Sequence, residues 1–173
     1  MNLRVLAPDQ DTDLLSQLSQ LAAAAAEDGA AVHFADNVAE DDLKSFRDHL
    51  QDRMRLCRVV VIGALKERSL LGSAMLCLDR SPSQSHVTRL HALMVRRDMQ
   101  KRGIGSALMA FAEVEARNRD RWLMLSEAVS GSPAAHMLVR AQWEKVGDVP
   151  ALVAMPWGGL APGSIYFKRL QSG

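Results

Sequence analysis

Gly103 and Gly105 lie one residue apart in the stretch Gln100-Lys101-Arg102-Gly103-Ile104-Gly105-Ser106, where an apolar run at helical steps begins. A helix start presents backbone N–H groups without intrahelical partners and a partial positive charge, so it suits an anion. Glycine removes the Cβ atoms that would hold a phosphate off those amides. Arg96, Arg97, Lys101 and Arg102 add four positive charges within seven positions, in a chain whose formal net charge is only +1. The local chemistry predicted here is the binding of a phosphorylated ligand.

Two other phosphate motifs compete and fit less well. The nucleotide P-loop needs Gly-Lys-Ser/Thr after its four-residue spacer, and the chain has none. The dinucleotide fingerprint would put its third glycine at Leu108, and it wants a tight strand-to-helix turn where the polar run "RRDMQKR" intervenes.

Proton transfer has three candidates. Glu127 follows the apolar segment "WLML" and could accept a proton directly or through water. His91 sits in "LHALMV", and an imidazole of ordinary pKa, about 6.5, suits a base. His136 in "SPAAHMLVRA" is the third. Each also has a purely structural reading: a solvated strand-end carboxylate, a packed strand histidine, an exposed helix histidine. No Ser–His–Asp, Cys–His or metal-ligand arrangement stands out, so neither a covalent enzyme intermediate nor a metal is expected.

These residues need elements to position them. "LRVLA" reads as a strand closed by Pro8, and Leu14, Leu18, Leu21 and Ala25 repeat at helical spacing up to Gly29. Gly29 to Asn37 reads as irregular, followed by a helix with Leu43, Phe46, Leu50 and Met54 on one face and Asp41 and Asp42 at its start. Three strands are predicted at "CRVVVIGAL", "LLGSAMLCLD" and "HVTRLHALMV", linked by "KERS" and the turn-rich "RSPSQS". Ile104, Ala107, Leu108, Phe111 and Val114 line a helix that opens on the glycines, and "RWLMLSEAV" is the next strand. A short helix follows, with Ser132 as N-cap and Pro133 at its first position. "WEKVGDV" and "SIYFKRL" are the last strands, separated by the loop "PALVAMPWGGLAPG". The count is seven strands and four helices, one mixed α/β domain over residues 1–173.

Composition narrows the class. Twenty-one Lys and Arg against twenty Asp and Glu give no reason to expect nucleic-acid or membrane-surface binding. Cys57 and Cys77 fall in apolar runs and are expected to be buried and reduced. The opening residues lack a signal-peptide layout and no apolar run reaches membrane-spanning length, so a cytoplasmic protein is expected.

The pattern Gln/Arg-x-x-Gly-x-Gly/Ala, seen as Gln100, Gly103 and Gly105 after the strand "LHALMV", resembles the acyl-CoA pyrophosphate loop of the GNAT superfamily of N-acetyltransferases. The likeness covers roughly Leu3 to Leu170, with "LMVRRDMQKRGIGSALMAFAEVEAR" as its strongest segment. The C-terminal part, "VGDVPALVAMPWGG…SIYFKRL", is similar to tabtoxin-resistance-type acetyltransferases. The resemblance implies a mostly antiparallel sheet flanked by the helices. It implies that acetyl-CoA binds with its pantetheine arm along Leu93, Met94 and Val95 and its pyrophosphate on the amides of Gln100, Lys101, Arg102, Gly103, Ile104, Gly105 and Ser106. The implied activity is direct acetyl transfer to a small-molecule amine. An acyl-CoA-binding protein that has lost transfer, or a protein or peptide N-acetyltransferase, are the alternatives. Dimerisation is common in such folds, and no stretch demands it.

The acceptor half departs from the family pattern. Aligned on Trp143, the position of the usual general-acid tyrosine is Leu138, and the usual preceding glycine is Gln142. The strand's usual Asp is Ser126, and the subgroup's Asp-Tyr is Ala151-Leu152. Leu138 and Trp157, the latter in the Pro/Gly-rich segment, are the candidate substrate contacts, and they predict an unusually apolar acceptor site.

Overall fold

The structure, a computed structural model, describes residues 1–28, 38–78 and 81–170. The elements in chain order are β1 (Asn2–Val5), α1 (Thr12–Glu27), α2 (Glu40–Arg55), β2 (Val59–Lys66), β3 (Ser69–Cys77), β4 (Val87–Val95), α3 (Ile104–Arg117), β5 (Leu123–Val129), α4 (Pro133–Arg140), β6 (Glu144–Ala154) and β7 (Leu160–Arg169). They build one seven-stranded sheet in the order β1-β2-β3-β4-β5-β7-β6. Every pairing is antiparallel except β4 with β5. That exception follows from α3, because a helical crossover returns the chain in its original direction.

The central strands are apolar on both faces, and alternation sends their side chains into two cores. Val59, Val61, Leu70 and Met75 pack with Leu15, Leu18, Leu50 and Met54 of α1 and α2. Val60, Ile62, Leu76, Leu90 and Met124 pack with Leu108 and Met109 of α3, Leu138 of α4, and Trp143. The start of α1 is anchored by Asp11, which accepts from Arg4 Nη1 at 2.7 Å and from the Ala7 N–H at 2.7 Å. The Arg4 hydrogen bond is the main reason the Asp11 carboxyl titrates below its ordinary range. At α4 the expected cap is present: Ser132 Oγ accepts from the Ala135 N–H at 3.2 Å, and Pro133 is the first helical residue.

Two expectations need correction. Cys57 is exposed rather than buried, and Cys77 is half-buried. Cys57 ends α2 in the left-handed region, at φ 54, where its N–H donates to the Met54 carbonyl and the Arg58 N–H to that of Arg53. This paired closure of a helix end turns the side chain away from the core. The stretch Pro150 to Gly163 is not one loop: β6 runs on to Ala154 and β7 starts at Leu160, so only residues 155–159 form the turn. The register slips between Val149 and Val153, setting Pro150, Ala151 and Leu152 opposite Pro162 alone. That bulge accommodates both prolines within a hairpin. The segment read as irregular, Gly29 to Asn37, lies outside the described residues.

Candidate active site

At the start of α3 the chain turns through two left-handed residues, Lys101 at φ 57 and Gly103 at φ 81. Gly103 is the N-cap, and the first bond back into the helix runs from the Ala107 N–H to the Gly103 carbonyl at 3.0 Å. The N–H groups from Gly103 to Ser106 therefore point out of the helix end. A Cβ at Gly103 would meet nothing within 4 Å, so the space above it is open. Gly105 has a different role: its Cβ would stand 3.1 Å from Met137 Sδ, so this glycine lets α4 pack onto α3.

The basic cluster divides in two. Arg96 is held by Asp98 at 2.6 Å and by Ser69 Oγ at 3.0 Å, and Arg97 lies 3.7 Å from Asp28. Lys101 and Arg102 are exposed and make no ion pair among the described residues.

Beside this turn the sheet opens. β4 and β5 pair only at Val87–Leu123, Thr88–Met124 and Arg89–Leu125. Past that point β4 slips against β3 between Met94 and His91, and Ala92 takes φ 49. The bulge sharpens the strand's twist and carries it away from β5. Ser126 spans the base of the opening, its Oγ donating to the Leu90 carbonyl at 3.1 Å. Across the ladder, Gly72 has no room for a Cβ, which would stand 2.7 Å from the Met94 carbonyl. Leu93, Met94 and Val95 thus run along one wall of a wedge that ends at the amides of α3.

Glu127 and His91 share the sheet face that carries α1 and α2, since His91 lies opposite Met75 and Arg89 opposite Cys77. Glu127 is not a free carboxylate: Arg89 Nη1 sits 3.2 Å from its Oε1, and both side chains are about one-third exposed, at 36% and 35%. Arg89 was not singled out from the sequence. Its signal is the pair Arg89 and His91 at alternate positions of a strand whose other residues, Thr88 aside, are apolar.

His136 is exposed on α4. Leu138 is 4% exposed and belongs to the core under α3 and α4. Trp157 is 70% exposed at the β6–β7 turn, which is closed by the Met155 N–H donating to the Gly159 carbonyl at 3.1 Å. Gln142, where the family pattern has glycine, keeps a left-handed conformation at φ 63. Its N–H donates to the Val139 carbonyl and the Trp143 N–H to that of Leu138, closing α4.

Solved structures share this fold over nearly the whole chain. The ribosomal-protein-alanine N-acetyltransferase from Brucella melitensis superposes with a TM-score of 0.79 at 23% identity, over 98% of this chain and 100% of that one. The Salmonella typhimurium protein yncA, solved with its cofactor acetyl-CoA, gives 0.78 at 15% identity, over 100% and 95%. Aminoglycoside 6'-acetyltransferase type Ii gives 0.71 at 16% identity, over 98% and 97%. The sequence pattern of the acetyltransferase (GNAT) family matches residues 18–142, and the chain belongs to that family.

Proposed function

We propose that this chain, as one domain of residues 1–173, transfers the acetyl group of acetyl-CoA directly to the amine of a small molecule in the cytoplasm. The observation that carries the reading is the wedge itself: the β4–β5 ladder stops at Arg89, beside a helix start whose capping glycine leaves open space. In this reading the pantetheine arm extends along Leu93, Met94 and Val95, and the pyrophosphate meets the amides of Gln100 to Ser106. Lys101 and Arg102 supply charge to the phosphates. A backbone N–H of the Leu93–Val95 segment polarises the thioester oxygen as charge develops on it.

An ammonium has no free lone pair, so the acceptor must lose a proton before it attacks. Glu127, on the acceptor side of the sheet, takes that proton directly or through water. His91, on the same face, is the second candidate base. With Leu138 buried where a tyrosine acid stands in the family pattern, the departing thiolate takes its proton from elsewhere. A thiol of pKa about 8.5 leaves tolerably without such help. The C-terminal likeness to tabtoxin-resistance-type enzymes belongs to this reading, though their substrate is not carried over. A homodimer would leave the chemistry unchanged.

The test is a thermal shift with acetyl-CoA, 3′-dephospho-CoA and NAD, followed by an amine panel and a peptide panel scored for release of free CoA. Acetyl-CoA at 100 times its Kd should stabilise the fold by about 2.7 kcal/mol. Gly103→Asp should abolish the shift, since Asp tolerates left-handed backbone and its carboxylate would repel a pyrophosphate. A shift without turnover of any amine would favour the binding protein, and turnover confined to peptides the protein acetyltransferase. Stabilisation by NAD alone would overturn the proposal.

A further inference from the structure

Resting on the acetyltransferase reading, we propose that Arg89 and Leu152 select the acceptor: an amine with a single cationic group and an apolar tail, in preference to a diamine or polyamine. The argument starts from charge. The Glu127 carboxylate is the expected partner of the incoming amine, and Arg89 stands 3.2 Å from it. The pair is neutral, so one ammonium can approach Glu127 from the open side, while a second ammonium that turns toward β4 meets the Arg89 guanidinium. Like charges at such range disfavour binding, and a specificity of this kind rests on the repulsive contact as much as on the attractive one.

The other side of Glu127 is apolar. Opposite it on β7 is Ile165, and the next residues on the same face are Val129 and its partner Gly163. Gly163 has no side chain, and Leu152 fills that space: a Cβ at Gly163 would stand 2.5 Å from Leu152 Cδ2. Leu152 reaches this position because the bulge at Pro150–Leu152, with Ala151 at φ 56, folds it over β7. Leu152 and Val149 remain 40% and 38% exposed, and Ile165 is half-buried. Glu127 is therefore flanked by a cation on one side and an apolar strip on the other. An acceptor tail laid along Ile165 and Leu152 removes apolar surface from water, whereas a charged tail there loses its hydration without gaining a partner.

Calorimetric binding of hexylamine and 1,6-diaminohexane to the CoA-loaded protein tests this without requiring turnover. The wild type should favour hexylamine. In Arg89→Met, and in Arg89→Gln, which keeps hydrogen-bonding capacity without the charge, the preference should move toward the diamine by about tenfold, the scale of a charge pair partly screened by solvent. Leu152→Ser should weaken hexylamine severalfold and leave ethylamine unchanged. An identical hexylamine-to-diamine ratio in the wild type and both Arg89 variants would overturn the proposal. So would CoA-loaded wild type that binds neither amine. The CoA titration that precedes each run reads the acetyltransferase proposal separately, and it confirms that each variant is folded.

Discussion

Glu127, the proposed proton acceptor, is also one half of an ion pair with Arg89, and kinetics can separate its proposed role from coenzyme binding. Glu127→Gln should lower kcat for acetyl transfer by about 10²–10⁴-fold while the Kd for acetyl-CoA stays the same. Stopped-flow or endpoint assays of CoA release, set beside calorimetry, check this. A parallel loss of coenzyme affinity would take Glu127 out of proton transfer. Gln142 makes a stability prediction. A non-glycine residue at φ 63 carries left-handed strain of about 1 kcal/mol, so Gln142→Gly should raise the urea midpoint accordingly. Both positions show what single residues disclose in a sequence. Gly103 was legible as a glycine that leaves helix-start amides open to a ligand, and the left-handed backbone it takes suits that residue type. Gln142 and Cys57 take the same backbone without glycine, and nothing in their type announces it. Glu127 could be recognised as a strand-end carboxylate, but Arg89 as its partner depends on the β4–β5 register, which residue types do not encode.

Among the elements, the β6–β7 hairpin is fastened to the end of β5 by a small polar network. Asp148 accepts from Lys145 at 2.8 Å, from Ser130 Oγ at 2.9 Å and from Ser164 Oγ at 2.5 Å. The Lys145 bond, then those of Ser164 and Ser130, hold its carboxyl down to about 2. Because the folded value lies below the unfolded one, the network's contribution is complete above the ordinary carboxylate range. It is lost as pH falls through about 2. A carbon chemical-shift titration of the Asp148 carboxyl should show that midpoint, and Lys145→Met should move it upward. A midpoint unchanged by Lys145→Met would reassign the shift to the serines. The helices and the glycine-led crossover were readable from periodicity and caps, because both are local signals. This hairpin was not, since prolines and glycines signal a loop until a bulge gives them somewhere to go. Ser126 belongs to the same class: its buried bond to the Leu90 carbonyl lies where the β4–β5 ladder stops, and residue types do not encode where a ladder stops.

On the scale of the whole molecule, the sheet is covered by α1 and α2 over β2, β3 and β4 on one face and by α3 and α4 on the other, and it ends at β6. That edge hairpin carries Val146, Val149, Leu152, Trp157 and Leu160 on the surface. An apolar strand end with unpaired N–H and C=O groups is a template on which further chains can stack. Here the slips after Lys145 and after Val149, together with Pro150, break the edge into lengths too short to recruit another strand. Pro150→Val should therefore leave the unfolding free energy within about 1 kcal/mol while light scattering at high protein concentration rises with time. Unchanged scattering would show that the remaining slip is protection enough. If the scattering rises as expected, the bend that lays Leu152 over Gly163 is also a guard against polymerisation, and sequence drift that straightened β6 would expose a stacking edge and alter the proposed acceptor choice together.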